Sequence, residues 1–478
     1  MAPNTQVMKV IIFLPMLIFG CGRTSINYLN LESTAIAVVH TSPASNVILK
    51  TATTTFQWTI SNPANLRPTD PYQVKVYGQA ACSGTALSTS FVSASQYNLT
   101  GLMHAEVKSI GVIAFYKGDI ATAESCSNSV TGNAIISQLQ TTGTSYLALD
   151  VDFANAVAYV GSNYTGSFFD AYDFSDEANP FRFKSVGAST TPSSTSTYSR
   201  GVALYKNGQR LVVASEAASK VELWELTGNP RTGTWVKLSE VTSLTAARKI
   251  SKIDTSNPSQ TRVYVALRRG VAILNIAEPS GTMTLNKKSG TLDETGSGAV
   301  LGNWLLAGRN YTGVTSLIDM SIATPAVNST YSVPATSTGS ILWTSSTSTT
   351  AEKAFVGGQN GGFFTFDPLN PTVAPVMTYR FSDPLGTVAR DSMYVIENGK
   401  ELLYVSGQSK INVWDTTNAV TPVMTGQLEL PSGIGESYGV RINPTTHRGY
   451  VTTNSGWFFI FNSEMIPAPP TTSLPVAY

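Results

Sequence analysis

The sequence predicts an all-β chain in two parts, a small sandwich followed by a ring of repeated sheets, on three observations. Apolar and polar residues alternate with period two between about 36 and 132, no helical period appears there, and a short β-rich core recurs seven times between about 134 and 466. The chain has 478 residues, 42% of them hydrophobic, enough to bury a large core, and its length points to more than one unit. Only 13% are charged, with 31 Lys and Arg against 30 Asp and Glu, a net charge of +1. Ser and Thr make up roughly a quarter of the chain. Such a surface is polar but almost uncharged, and no Lys/Arg run restores a local field, which argues against binding to nucleic acid or an anionic surface.

The chain opens with a single lysine, Lys9, then an apolar run from Val10 to Phe19 that ends at Gly20-Cys21. That run is too short for a permanent span and fits the apolar region of a signal peptide. Gly20-Cys21 resembles the cleavage site of bacterial lipoproteins, and an ordinary signal peptide followed by a coincidental cysteine is the alternative. The resemblance implies removal of residues 1–20, a lipid on Cys21 and a polar tether over 21–35. Gly22, where Asp would favour retention at the inner membrane, implies the outer membrane of a bacterial envelope, facing either the periplasm or the exterior. The two remaining cysteines, Cys82 and Cys126, are expected to pair as a disulfide in an oxidising compartment. Three scattered histidines, His40, His104 and His447, cannot assemble a Cys/His zinc site with them and are expected to be solvated or at a core edge.

Strands in the first part are expected at Phe56–Ile60, Tyr72–Tyr77 and Val107–Phe115, separated by turn clusters such as Asn62-Pro63 and Asp70-Pro71. A sandwich of this size, over 36–132, resembles a fibronectin type III or immunoglobulin-like domain, which implies a spacer.

In the second part the core reads Ala158-Tyr159-Val160-Gly161, Leu211-Val212-Val213-Ala214, Val263-Tyr264-Val265-Ala266, Trp304-Leu305-Leu306-Ala307, Ala354-Phe355-Val356-Gly357, Leu403-Tyr404-Val405-Ser406 and Gly449-Tyr450-Val451-Thr452. Each is followed by an apolar strand ending in a short polar residue, among them Tyr172-Asp173, Ile318-Asp319, Trp414-Asp415 and Phe461-Asn462. Asp or Asn there can bond the backbone two residues on and start a turn, so Asp173, Asp319, Asp367 and Asp415 are expected to form turns rather than hold metal. A repeat of this length with four short strands is the signature of a β-propeller blade, giving a seven-bladed propeller over 134–466 and a Pro-rich tail over 467–478. The pattern resembles the LVIVD repeat, a relative of the YncE-like propellers. The seventh repeat lacks its outer strand, and Ile136-Ser137-Gln138-Leu139-Gln140, ahead of the first, is expected to supply it and close the ring.

Residues at the starts of the innermost strands should face the central channel. They are Tyr146, Arg200, Arg248, Ser340, Arg390 and Tyr438, with no clear equivalent in the fourth repeat. Arg200, Arg248 and Arg390 would make a cationic funnel able to grip a carboxylate, sulfate or acidic sugar, with Tyr146 and Tyr438 flanking it; the alternative is that the arginines bridge adjacent blades. Arg268-Arg269 and Arg309 are expected at the other end or the rim. A calcium-dependent lactonase would need Glu, Asn and Asp at those starts, and Arg, Tyr and Ser stand there instead. His447 falls in a hairpin turn, and Gly357–Gly362 joins strand to strand, so neither a catalytic triad nor a phosphate loop is supported. No metal and no cofactor is expected. Ser/Thr-rich stretches at Ser189–Ser199 and Thr336–Thr350 are expected to be polar loops on the funnel side.

These readings combine into a monomeric, lipid-anchored envelope protein whose propeller binds a protein or glycan without catalysis. The alternatives are a channel enzyme acting on an anionic saccharide or lactone, and an outer-membrane assembly scaffold.

Overall fold

The computed structural model describes residues 37–117, 121–162, 168–186, 199–289, 295–309, 314–332, 342–347, 354–358, 362–367, 376–382, 389–418 and 422–470. Cys21, the leader before it, Ser340, nearly all of the stretch Ser189–Ser199 and the end of the tail lie outside these. No described helix is long and apolar enough to cross a membrane.

The alternating stretches near the N-terminus form two sheets. One orders Val38–Ser42, Thr54–Ile60 and Gln96–Leu99; the other orders Val47–Leu49, Val130–Gly132, Val107–Ala114, Tyr72–Tyr77 and Ala86–Val92, with Ser125–Cys126 pairing on Val107–Ala114. Their inward residues, Phe56, Trp58, Tyr72, Val74, Ile110 and Val112, are buried, and Trp58 meets Tyr72 edge-on with ring centroids 5.3 Å apart. Cys82 and Cys126 are joined as a disulfide, their Cα atoms 5.9 Å apart.

Seven four-stranded antiparallel sheets follow among the described residues, and the chain is an all-β propeller. Sheets 1 to 6 begin with the strands Tyr146–Asp152, Ser199–Tyr205, Ala247–Asn257, Thr295–Leu301, Leu342–Thr347 and Asp391–Glu397. Sheet 7 orders Ser437–Asn443, Arg448–Thr453, Trp457–Asn462 and, as its outer strand, Ile135–Gln140. That last pairing runs from Ile135 opposite Phe461 to Gln140 opposite Trp457, so the segment ahead of the first repeat closes the ring as the repeat pattern predicts. The first strands of successive sheets lie side by side, and that of sheet 7 returns to that of sheet 1. Gly201 and Gly439 permit this approach: a Cβ on Gly201 would stand 2.8 Å from the Arg248 carbonyl, and one on Gly439 2.5 Å from the Leu149 Cβ.

Asx turns after the third strands form as expected at Asp173, Asp319 and Asp415, while the Asp367 side chain lies outside the described residues. Asp173 accepts from the Ser175 amide at 2.8 Å, Asp319 from Ser321 at 2.8 Å, Asp415 from Thr417 at 3.0 Å and Asn462 from Glu464 at 3.1 Å. One expectation fails, because Thr336–Thr350 is not wholly a loop: Leu342–Thr347 within it is the first strand of sheet 5. Ladder pairing in the closed ring overrides its loop-like composition.

Only Asn133 and Ala134 separate the last sandwich strand from Ile135. The two parts share one apolar cluster, in which Phe56, Leu102 and Val130 belong with Leu428, Phe459, Met465 and Ile466. The His104 amide donates to the Met465 carbonyl at 2.8 Å, and Asn462 Nδ2 to the Lys50 carbonyl at 3.3 Å. The sandwich is thus packed against sheet 7.

Candidate functional site

The channel mouth is built by a repeated irregularity. In six of the seven first strands the register slips at the start, between Tyr146 and Ala148, Ser199 and Gly201, Ala247 and Lys249, Thr295 and Ser297, Leu342 and Thr344, and Ser437 and Gly439. The residue passed over at each slip is Leu147, Arg200, Arg248, Gly296, Trp343 and Tyr438 in turn; in the seventh, Arg390 immediately precedes its strand, its amide bonding the Ser406 carbonyl at 2.7 Å. A bulge leaves one residue outside the ladder and re-aims its side chain. Leu147, Arg200, Arg248, Arg390 and Tyr438 accordingly line one cavity of about 50 Å³, together with Lys249, Asp391 and Arg441.

Four of the five funnel residues named from the sequence therefore converge. Tyr146 does not line the cavity: it is completely buried, its hydroxyl against that of Tyr172, with ring centroids 5.9 Å apart. In sheet 1 the residue at the slip is Leu147. Side chains of a strand alternate in direction, so a displacement of one residue sends Tyr146 into the core.

The cations at the mouth are held by carboxylates from neighbouring blades. Glu216, in the turn between the second and third strands of sheet 2, pairs with Arg200 and with Arg248, whose Nε and Nη2 lie 3.0 and 2.9 Å from its Oε1. Arg390 Nη2 is 2.6 Å from Glu436 Oε2, and its guanidinium carbon stands 5.1 Å from the centre of the Tyr438 ring. Deeper in, Asp391 accepts from Lys249 across the channel, from Arg441 Nη1 at 2.8 Å and from the Val440 amide at 3.1 Å. Arg441 Nε also donates to Asp150 at 3.1 Å, and Asp150 accepts the Leu204 amide at 2.7 Å. The network ties sheets 6, 7, 1, 2 and 3 together through their first strands.

Burial alone would push the Asp391 carboxyl upward, but Lys249 and Arg441 outweigh it and hold the group below its ordinary value. Burial likewise works against the Arg441 charge, and Asp391 and Asp150 more than restore it. The Tyr438 hydroxyl is pushed up by burial, with Arg390 pulling the other way and Glu436 adding to the rise. A carboxylate gripped by two cations is a weak proton acceptor, and a phenol held above its usual range is a weak donor of a full proton.

Sequence reasoning missed Glu216, Glu436, Asp150, Lys249, Asp391 and Arg441. The turn between second and third strands lies on the same face as the strand starts, as the Arg268 amide bonding the Ala246 carbonyl at 2.8 Å shows. Of the two expected places for Arg268-Arg269, the other end or the rim, the structure has them exposed on the funnel side. Charged residues inside otherwise apolar first strands, Asp150 and Arg441, were the available signal.

The remaining expectations resolve simply. His40 Nε2 lies 2.9 Å from the Ser125 carbonyl, His104 Nδ1 accepts the Ala134 amide at 3.1 Å, and burial lowers both below the usual imidazole range. His447 sits in its predicted turn, its Nδ1 2.5 Å from Glu397 Oε1. Ser463 donates to that same carboxylate at 2.7 Å, as does Tyr404, so the serine is not bonded to the histidine as a triad would need. Among the described residues the one cluster of three ligand-type side chains is Cys82, Glu124 and Cys126, which the disulfide occupies.

No protein-family model and no curated protein matches the chain. Solved structures similar to it include the β-propeller domain of Cps50 (Swd1) from Myceliophteria thermophila, 14% identical with a TM-score of 0.48, the match covering 69% of this chain and 98% of that one. The WD40 β-propeller domain of Doa1 is 9% identical with a TM-score of 0.49, over 69% and 96% of the two chains.

Proposed function

We propose that this protein is a non-catalytic binding module, anchored to the bacterial outer membrane through Cys21, that holds a protein or glycan partner at the channel mouth. The observation that carries the reading is that, among the described residues, Glu216, Glu436, Asp150 and Asp391 at the mouth are each paired with a cation. A channel enzyme acting on an anionic saccharide or lactone needs carboxylates beside the arginines, and Glu216 and Glu436 are there. They are arranged as ion pairs instead of as a separated acid and base. The ring is thus fixed by the same groups that shape its mouth.

The sequence pattern supports membership of the LVIVD/YncE-like propellers. Two sheets, with the N-terminal strand divided between Val38–Ser42 on one and Val47–Leu49 parallel to Val130–Gly132 on the other, support the fibronectin type III or immunoglobulin-like reading. The apolar leader ending at Gly20-Cys21 supports export and lipidation.

The experiment is a pull-down from solubilised envelope and from polysaccharide fractions, using the full chain and its Arg200→Ala/Arg248→Ala/Arg390→Ala variant. A partner held by the wild type and lost from the variant is the expected result. Arg200→Gln, which keeps the side chain's bulk, serves where the triple variant fails to fold. A partner retained by both variants moves the site to the blade edges or the sandwich.

A further inference from the structure

We infer that the cleft between sheets 3 and 4, on the face away from the channel mouth, is a second ligand site that takes an acidic sugar, with the sugar's carboxylate on Arg262 and Lys287. The inference goes beyond the reading of the mouth and does not depend on it.

One residue keeps this cleft open. In sheets 1, 2 and 3 the register between the third and fourth strands slips by one, and the residue passed over is Phe183, Leu238 and Asn286 in turn. A bulge turns that side chain out of the ladder. Phe183 and Leu238 pack on the apolar clusters shared by sheets 1 and 2 and by sheets 2 and 3, which closes those two clefts. Asn286 is exposed instead, and a cavity of about 230 Å³ stands beside it.

The charges at this cleft differ from those at its neighbours. Between sheets 1 and 2, 2 and 3, and 7 and 1, a cation on this face meets a carboxylate of the adjoining sheet: Arg231 with Asp173, Arg210 with Glu278 and Arg448 with Glu177. Between sheets 3 and 4, Arg262 and Lys287 both line the cavity, and neither is in a salt bridge among the described residues. Lys287 Nζ donates to the Met320 and Ser321 carbonyls of sheet 4 at 2.9 and 3.0 Å, and Arg262 is hydrogen-bonded to the Tyr264 side chain. Asp254 stands opposite Arg262 in the ladder, beyond ion-pair distance, and accepts the Ser256 amide at 3.0 Å. An ammonium has three donors and a guanidinium five, so N–H groups of both remain for a ligand.

The rest of the lining narrows the ligand's class. A guanidinium beside an ammonium matches a carboxylate. The side-chain amides of Asn286 and Asn303 both donate and accept, as sugar hydroxyls do. Tyr264, Ile273 and Met320 are buried and give the cavity an apolar floor for the C–H face of a ring.

The test uses the full chain in detergent and ligand-observed NMR at low salt, with galacturonate, glucuronate, galactose and inorganic phosphate as probes. One of the uronates should bind at least tenfold more tightly than galactose, and an equal concentration of phosphate should not displace it. Arg262→Gln, at an exposed position, should weaken uronate binding at least fivefold. Asn303→Trp, also at an exposed position, fills the cleft without changing its charge and should abolish binding. Binding of neither uronate, galactose bound as tightly as a uronate, or displacement by phosphate overturns the inference. Uronate binding that survives both Arg262→Gln and Asn303→Trp overturns it as well, because the sugar then sits elsewhere on the chain.

Discussion

The two faces of the ring use the same ion-pair chemistry for different ends. At the channel mouth, groups from five sheets converge on shared partners, with Asp391 serving Lys249 and Arg441 and Glu216 serving two arginines. On the opposite face the groups join neighbouring sheets in small local sets: Arg231 with Asp173, Arg448 with Glu177, Arg210 with Glu225 and Glu278, and His447 with Glu397 and Glu464. The second arrangement staples neighbouring blades together. The first must solve the same problem in a narrowing space, where one side chain reaches several sheets, and it thereby creates a central charged surface. Position along the strand, more than residue type, separates a staple from a site.

If that difference is real, breaking the hub must cost more than breaking a staple. Asp391 is buried and serves two cations and one amide, so Asp391→Ala takes the carboxylate from Lys249 and leaves Arg441 with Asp150 alone. A loss of about 3–5 kcal/mol is expected, read from the denaturant midpoint. A loss under about 1 kcal/mol, the range of exposed pairs, would mean that the hub is no more than another staple.

A steric lesion probes the same centre without touching charge. Gly201→Ala places a Cβ 2.8 Å from both the Arg248 carbonyl and the Ile250 amide, backbone atoms that cannot rotate away. It should cost about 1–3 kcal/mol, as overpacking does. Because Arg200 precedes Gly201, the variant should also weaken partner capture in the pull-down; full stability with full capture would show that the first strands have slack.

On the opposite face the expected effect is smaller. Arg448 Nε lies 2.7 Å from Glu177, yet their side chains are 24% and 32% exposed, so solvent screens the pair. Arg448→Ala should cost about 0.2–1 kcal/mol and leave channel binding unchanged. A larger loss, or any effect at the mouth, would couple the two faces.

What the sequence made legible follows the same division. Repetition exposed the sheets, the closing strand Ile135–Gln140 and the funnel positions Arg200, Arg248, Arg390 and Tyr438, because each recurs at a fixed place. Tyr146 was misplaced by one residue, since a bulge leaves no mark in composition and one step reverses a strand's faces. Glu216 and Glu436 were invisible because their roles depend on which turn shares a face with which strand start. That fact belongs to the closed ring and to no single repeat. The docking of the sandwich was hidden similarly, as Met465 and Ile466 read as a tail until Leu102 and Val130 are seen beside them.

The last comparison is between pH values. Arg231 holds the Asp173 carboxyl down at about 2, against the opposing push of burial, and Arg231 Nη2 also donates to the Asn155 carbonyl at 2.8 Å. A carboxyl depressed in the folded chain stabilises it fully above its unfolded value of about 4. That contribution is lost as the pH falls through about 2. Asp173→Asn should therefore be less stable than the wild type at pH 6 and should converge with it toward pH 2, followed by thermal melts at matched ionic strength. The Asx turn survives in this variant because the Asn side-chain oxygen can still accept from Ser175, so the pH-dependent part reports the carboxylate's charge, held first by Arg231 and then by Ser175. A gap that stays constant between pH 6 and pH 2 would assign the loss to packing around the turn, and the staples of this face would then owe little to charge.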